Sequence, residues 1–264
     1  MPDDAAGVRF TVLDPVEGPA SPIESVDDGR LTDFYAYPDD LQACWVRGNM
    51  IASLDGGATD DGKAGGLAGA GDRAVFSLMR DAADVILDGA ATVRSENYSG
   101  AQLPVVARQE RQRRGQAAVP PIAVVTQSGV LDPNALLFTR TEVPPLILTC
   151  RRSFEDTRRR LDSVAEVIDA SGPQSDTVDG ATVLKIFADR KLYRVLTEGG
   201  PLFLGLLIEN DLLDELCLTI APILVGGVAR RIVSGPGQVH TNMRRTHVLT
   251  DDDGYLYTRY VKGV

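Results

Sequence analysis

Cysteine, histidine and long apolar runs are all scarce in this chain, and each scarcity closes off a class of function. Cys44, Cys150 and Cys217 stand far apart, odd in number and without a C-x-x-C pair. That pattern argues against a disulfide framework or a zinc site and makes a reducing cytoplasm the expected setting. Two histidines, His240 and His247, are too few for a histidine-rich centre, and no metal is expected. No apolar run approaches the ~20 residues of a spanning helix, and the opening MPDDAAG lacks the charged and apolar regions of a signal peptide. Basic residues are outnumbered, 27 Lys and Arg against 37 Asp and Glu, for a net charge of −10. Neither nucleic acid nor an anionic membrane is therefore expected as a partner.

What is present is the make-up of an ordinary globular chain, 264 residues with 44% hydrophobic content. Residues 1–40, rich in Pro, Asp and Gly, read as an N-terminal arm with one short strand, VRFTVL. Residues 41–264 read as one domain in which apolar strand candidates (44–54, 84–89, 121–127, 145–150, 193–198) alternate with helical patterns (72–83, 154–164, 180–191, 202–210). This rhythm predicts an α/β fold with mostly parallel strands and helices on both faces. The C-terminal third has little helix between its strands, which predicts an antiparallel edge. ERQRRGQAA reads as a polar loop.

Two glycine-rich stretches invite nucleotide readings. In SLDGGATDDGKAGGLAGAG, Gly57 to Lys63 spells G-x-x-x-x-G-K, but Ala64 stands where a magnesium-binding hydroxyl belongs. Gly69 to Ala74 spells G-x-G-x-x-A and leads towards Asp88, yet no strand runs into its first glycine. The remaining reading is a mobile surface loop that, placed just after a buried strand, is a candidate lid. The second stretch, VLTEGGPLFLGLLIEN, is a strand, a Gly199–Gly200 turn and a helix with Pro201 in its first turn. Such a turn is either a plain βα connection or an anion cradle at a helix N-terminus. DGAATVRSEN repeats the geometry with Thr92 and Glu96, as a ribose or amide contact or as a helix start capped by Thr92.

Taken together, NMIASLDG (49–56), RDAADVILDGAATVRSEN (80–97), LTEGGPLFLGLLIE (196–209) and LLDELCLTIAPILVGG (212–227) resemble the reductase domain of bacterial riboflavin biosynthesis, a member of the dihydrofolate-reductase-like family. The resemblance covers most of residues 45–260 and implies a mixed, mostly parallel sheet flanked by helices that binds NADPH in an extended groove. It implies that Ala52 packs beside the nicotinamide and that Thr92 and Glu96 contact the cofactor. Gly199, Gly200, Pro201, Leu202 and Phe203 match the turn that wraps the pyrophosphate. Asn49, Arg80 and Glu198 fall where the family contacts substrate, with Arg80 suited to a phosphate. Glu198 is also a candidate for passing a proton. Asp55, before a glycine, is either a turn residue or a catalytic one. For the cofactor's 2′-phosphate, the pair Arg151–Arg152 is a candidate against plain surface charge.

The implied chemistry is hydride transfer from NADPH to a pyrimidine ribosylamine of the 5-amino-6-(5-phosphoribosylamino)uracil type. A homodimer is the expected assembly. The chain departs from the family in SENYSGAQLP, where Tyr98 takes a proline's place and no arginine follows, and it has neither H-x-E nor P-C-x-x-C of a fused deaminase. Two alternatives stay open, a dihydrofolate or dihydropterin reductase and a non-catalytic NADP-binding module.

Overall fold

The computed structural model describes residues 8–13, 22–23 and 29–263. In chain order its strands are β1 (Phe10–Val12), β2 (Pro22–Ile23), β3 (Trp45–Ser53), β4 (Val85–Gly89), β5 (Ile122–Thr126), β6 (Leu146–Thr149), β7 (Glu166–Asp169), β8 (Arg194–Thr197), β9 (Glu215–Ala221), β10 (Met243–Asp251) and β11 (Leu256–Lys262). The helices are α1 (Gly29–Phe34), α2 (Ala70–Ala82), α3 (Ala90–Ser95), α4 (Val105–Arg113), α5 (Leu136–Thr139), α6 (Arg151–Leu161), α7 (Gly180–Asp189) and α8 (Pro201–Glu209).

All the strands join one sheet in the order β2-β1-β10-β11-β9-β3-β8-β4-β5-β6-β7. From β9 to β7 every pairing is parallel, while β11, β10, β1 and β2 add an antiparallel flank. The expected mixed, mostly parallel sheet is thus the one observed. Parallel strands are covered on both faces and read as continuous apolar runs, which is why β4, VILDG, is buried over its first four residues. Val75 and Met79 of α2 and Leu161 of α6 pack on one face of the sheet, and Phe187 of α7 with Leu204 and Leu207 of α8 on the other.

Three parts of the chain differ from the sequence reading. The first four residues of the ERQRRGQAA segment, expected as a polar loop, form the last turn of α4. That helix is anchored not by an apolar stripe but by buried Arg111, which donates to the carbonyls of Asp81 (2.9 Å) and Ala83 (2.6 Å) at the end of α2. A cation on the last carbonyls of a helix is favourable, and helical periodicity of apolar residues cannot reveal it. β10 was not anticipated, although its second half alternates between buried and half-buried side chains. Within the expected arm, β1 pairs with β10, and Leu31 and Tyr35 pack in the core.

That last contact is held by a buried charge cluster. Glu215 accepts from Arg47 Nε at 2.6 Å, from Arg259 Nε at 2.8 Å and from Trp45 Nε1 at 2.9 Å. The two guanidinium groups also donate to the carbonyls of Tyr35 and Phe34, at 2.7 Å each. One carboxylate therefore ties β3, β9 and β11 to the segment after α1. Removing it leaves buried Arg47 without a counter-charge, so Glu215→Ala should destabilise the fold by about 3–5 kcal/mol. Chemical denaturation checks this, and a loss below about 1 kcal/mol would show that the cluster is peripheral.

Candidate active site

β3, β8 and β4 are parallel neighbours, so their C-terminal ends open on the same edge of the sheet, where open α/β sheets bind ligands. A cavity of about 1070 Å³ lies there. Its floor includes Asn49, Met50 and Ile51 of β3, one side is formed by Thr92, Glu96 and Tyr98, and another by Glu198, Gly200, Pro201 and Leu202. Asp72, Arg73 and Phe76 of α2 contribute a third side. Two non-sheet segments complete it, parts of the glycine-rich stretch from Ala58 to Ala68 and residues Val225 to Arg230.

Glu198 is the most constrained side chain of the site. Arg80 grips it with both arms of its guanidinium, Nε to Oε1 at 2.5 Å and Nη2 to Oε2 at 2.6 Å, and the Tyr98 hydroxyl donates to Oε2 at 2.8 Å. Such bidentate, charge-assisted pairs fix geometry as well as charge. Arg80 also lies over the Phe76 ring, 4.4 Å from its centroid. The fork expected to hold a substrate phosphate is thus engaged by Glu198. Beneath it, Asp88 Oδ1 accepts from the Glu198 backbone N–H at 2.9 Å, while Oδ2 is buried with no hydrogen-bond partner among the described residues. Burial, and then the neighbouring Glu198 charge, push the Asp88 carboxyl well above the usual aspartate range. Wholly enclosed, Asp88 does not reach out to a ribose as the Rossmann-like spelling would require.

The turn after Glu198 has the backbone angles only glycine takes easily, φ +131° at Gly199 and +77° at Gly200. A Cβ on Gly200 would meet Thr92 Oγ1 at 2.9 Å, so the turn and the start of α3 are closely apposed. α8 begins at Pro201 with Gly200 as its N-cap. The N–H groups of its first turn have no partner inside the helix and face the region where an anion is favoured. α3 itself is capped at Gly89 without a side-chain hydrogen bond, so Thr92 is not the cap.

The two nucleotide spellings have other physical causes. Asp60 and Lys63 pair as a two-residue hairpin, with Asp61 at φ +50° and Gly62 at +81°, as a type I′ turn requires. Gly69 and Gly71, at the start of α2, leave room for the Tyr255 and Tyr257 side chains, which a Cβ at either position would strike. Glu96 reaches across to this stretch, accepting from the Ala64 N–H at 3.0 Å.

Of the residues expected at the site, Asn49, Thr92, Glu96, Glu198, Gly200, Pro201 and Leu202 line the one cavity. Arg80 stands behind Glu198, and Phe203 is buried in α8 against the sheet. Gly199 forms the turn and Ala52 is buried in β3, and neither lines the cavity. Asp55 is exposed and its carboxylate is taken up by Ser53 Oγ (2.5 Å) and the Val225 and Gly226 N–H groups (3.2 and 2.7 Å). These bonds, Ser53 first, lower its pKa to about 2. Arg151 and Arg152 lie outside the cavity, paired with Asp169 and Asp176. Sequence reasoning missed Asp72, a half-buried carboxyl hydrogen-bonded to Thr219 and raised in pKa mainly by burial. An acid in the first turn of a helix reads as a dipole partner, and that masks any other use.

The sequence model of the RibD C-terminal domain matches residues 44–257. This chain belongs to that family. Among curated members, the 2,5-diamino-6-ribosylamino-4(3H)-pyrimidinone 5′-phosphate reductase of Archaeoglobus fulgidus is 27% identical over 180 residues, 68% of this chain and 80% of that protein. The riboflavin biosynthesis protein RibD of Bacillus amyloliquefaciens is 30% identical over 197 residues, 73% of this chain and 50% of that protein. This chain thus matches about half the length of that RibD protein. Among solved structures, a pyrimidine reductase-like protein from Corynebacterium diphtheriae superposes with a TM-score of 0.79 at 24% identity, over 89% of this chain and 99% of the other, and shares its fold.

The state of Asp88 is testable by pH. Its folded-state pKa is raised, so the stability it allows is fully present below the unfolded value of about 4 and is lost as pH rises through the folded value. Asp88→Asn keeps an acceptor for the Glu198 N–H and cannot ionise. Its stability relative to the parent should therefore grow with pH above about 4 in denaturation series. A constant difference across pH would show that Asp88 is not held neutral.

Proposed function

We propose that this member of the RibD C-terminal domain family is an NADPH-dependent reductase of a phosphorylated pyrimidine ribosylamine in riboflavin biosynthesis. The observation that carries the reading is that a glycine turn apposed to Thr92 and a rigidly held carboxylate, Glu198, border one cavity. The similarity to pyrimidine reductases supports the substrate class. The residues present fit a dinucleotide. Gly199 and Gly200 leave a cradle at the start of α8, the first-turn N–H groups of α8 offer donors to a pyrophosphate, and Thr92 supplies a hydroxyl. When bound, the nicotinamide supplies the hydride.

The chain's own groups then orient and polarise. Glu198, with three donors on its two oxygens, is a fixed negative charge rather than a mobile acid, and it stabilises positive character on a reacting imine. Asn49 offers an amide to the heterocycle from the floor of the cavity. Asp72, whose carboxyl keeps its proton to higher pH than an ordinary aspartate, is the acid nearest to hand for the nitrogen that gains a proton. The same Asp72 favours one second reading. A carboxylate pairs well with the amino-amidine edge of a dihydropterin, two donors against two acceptors, and that substrate uses the same cofactor.

NADPH oxidation assayed with the phosphorylated ribosylamine and with dihydrofolate separates these readings. Turnover with the ribosylamine is expected, preference for dihydrofolate selects the second reading, and no turnover with either leaves only a non-catalytic NADP-binding module. NADPH should also protect the fold from thermal unfolding more than NADH does. Gly200→Ala forces a Cβ towards Thr92 and into a left-handed angle costing roughly 1 kcal/mol or more. It should weaken NADPH binding about tenfold in a titration, and unchanged affinity would place the cofactor elsewhere.

A further inference from the structure

Residues 222–235 leave β9 and pass along the mouth of the cavity as a strap with few side-chain anchors. Its backbone is pinned at four points. The Leu54 N–H donates to the Ile223 carbonyl at 2.9 Å, and the Val225 and Gly226 N–H groups donate to Asp55 at 3.2 and 2.7 Å. The Ala58 N–H donates to the Arg230 carbonyl at 2.7 Å, and the Ser234 N–H donates to the Pro201 carbonyl at 2.9 Å. Between these pins Val225 to Arg230 face the cavity. Gly226 and Gly227 sit at φ +67° and +64° with open space around them, so that corner is held by Asp55 together with the packing of Val225 on the core.

Asp55 is tied to the opposite wall as well. The Ser53 hydroxyl that donates to its Oδ1 at 2.5 Å accepts from the Gly57 N–H at 2.9 Å, at the start of the glycine-rich stretch. Gly57 has no room for a side chain, since a Cβ there would come within 2.9 Å of Ala229 Cβ on the strap. The two walls touch at this point, and one carboxylate holds both. Asp55 is itself exposed and does not line the cavity, so it is not set to touch a reacting atom.

We propose that Asp55 is a positioning residue that sets the spacing between the glycine-rich stretch and the 222–235 strap, and through it the fit of cofactor and substrate. This rests on reading the cavity as a reductive site. Its ionised form is needed, because a carboxylate accepts at both oxygens while an amide accepts at one. Asp55→Ala frees two strap amides and the Ser53 hydroxyl, and Asp55→Asn retains part of the clasp.

The test uses the full chain and both variants. In hydrogen exchange, the Val225, Gly226 and Gly57 amides should exchange about tenfold faster in Asp55→Ala, as expected for losing bonds of ~1 kcal/mol each, with Asp55→Asn between. In steady-state assays KM for NADPH and for substrate should rise roughly tenfold with a smaller change in kcat, and the shape of the pH–rate profile should be kept. A kcat loss of about a thousandfold at unchanged KM, with one limb of the pH profile gone, would make Asp55 a catalytic acid or base and overturn the proposal. Unchanged exchange at Val225 and Gly226 would overturn it too. If the parent protein turns over no heterocycle, the reductive reading fails, while the exchange measurement still decides whether Asp55 holds the two walls.

Discussion

The parallel pairing of β3, β8 and β4 is the constraint on which the site depends. The register sets Gly48 beside Thr197 and Leu196 beside Ile86, so β8 stops before both of its neighbours, and β4 runs on to Asp88 and Gly89 alongside Glu198 and Gly199. Backbone groups beyond the last pair have no ladder partner and must be satisfied by side chains, turns or a ligand. β4 answers for β8 at both ends with an acid. Asp84 accepts from the Arg194 N–H at 2.9 Å, and Asp88 accepts from the Glu198 N–H at the same distance. The second of these pegs the residue whose side chain faces the cavity, and the turn that follows it is where the chain can leave the sheet for α8.

The electrostatics follow from that placement. Asp88, Glu198 and Arg80 lie close together at the strand ends, and two ionised carboxylates beside one guanidinium would leave a buried excess of charge. Burial and the Glu198 charge raise the pKa of Asp88, which favours its neutral form, while the guanidinium is engaged by Glu198. Tyr98, half-buried at the cavity wall and raised in pKa mainly by burial, adds a third donor to Glu198. A carboxylate so occupied serves orientation better than proton transfer. The second buried cluster, Arg47–Glu215–Arg259, uses the opposite ratio of two cations to one anion, balanced by the carbonyls of Phe34, Tyr35 and Ala36. One cluster organises the site and the other attaches the N-terminal segment to the sheet.

Much of this was legible in the sequence where a repeating pattern reports a repeating environment. β3 to β6, β8, α2, α7 and α8 were all anticipated, because their apolar runs and periods show in the residues. The Gly199–Gly200–Pro201 turn was legible because its residue types answer a backbone requirement. α4 was not, since its anchor is the single cation Arg111 on the end of α2. Asp72 and Tyr98 were missed as cavity residues because their roles arise from neighbours far along the chain, Thr219 for one and Glu198 for the other. The arginine expected to grip a phosphate, Arg80, instead grips Glu198, a partner 118 positions away in the chain that no local pattern reveals.

The glycines of the Ser53–Gly71 stretch show why composition misleads there. Gly62 answers a hairpin's left-handed angle, Gly57 a contact with the strap, and Gly69 and Gly71 the bulk of two tyrosines. Three unrelated demands fall within sixteen residues of sequence and together imitate two phosphate-binding motifs. None of the three arises from a strand or helix repeat within the stretch, so none carries a period from which its purpose could be read. The stretch and the 222–235 strap are the two walls of the cavity with no strand or long helix to fix them. Their side chains can therefore change without disturbing the strand-end groups that hold Glu198. In this architecture the strand ends and the start of α8 form the fixed part of the cavity, and the two walls form the part whose side chains are free to vary.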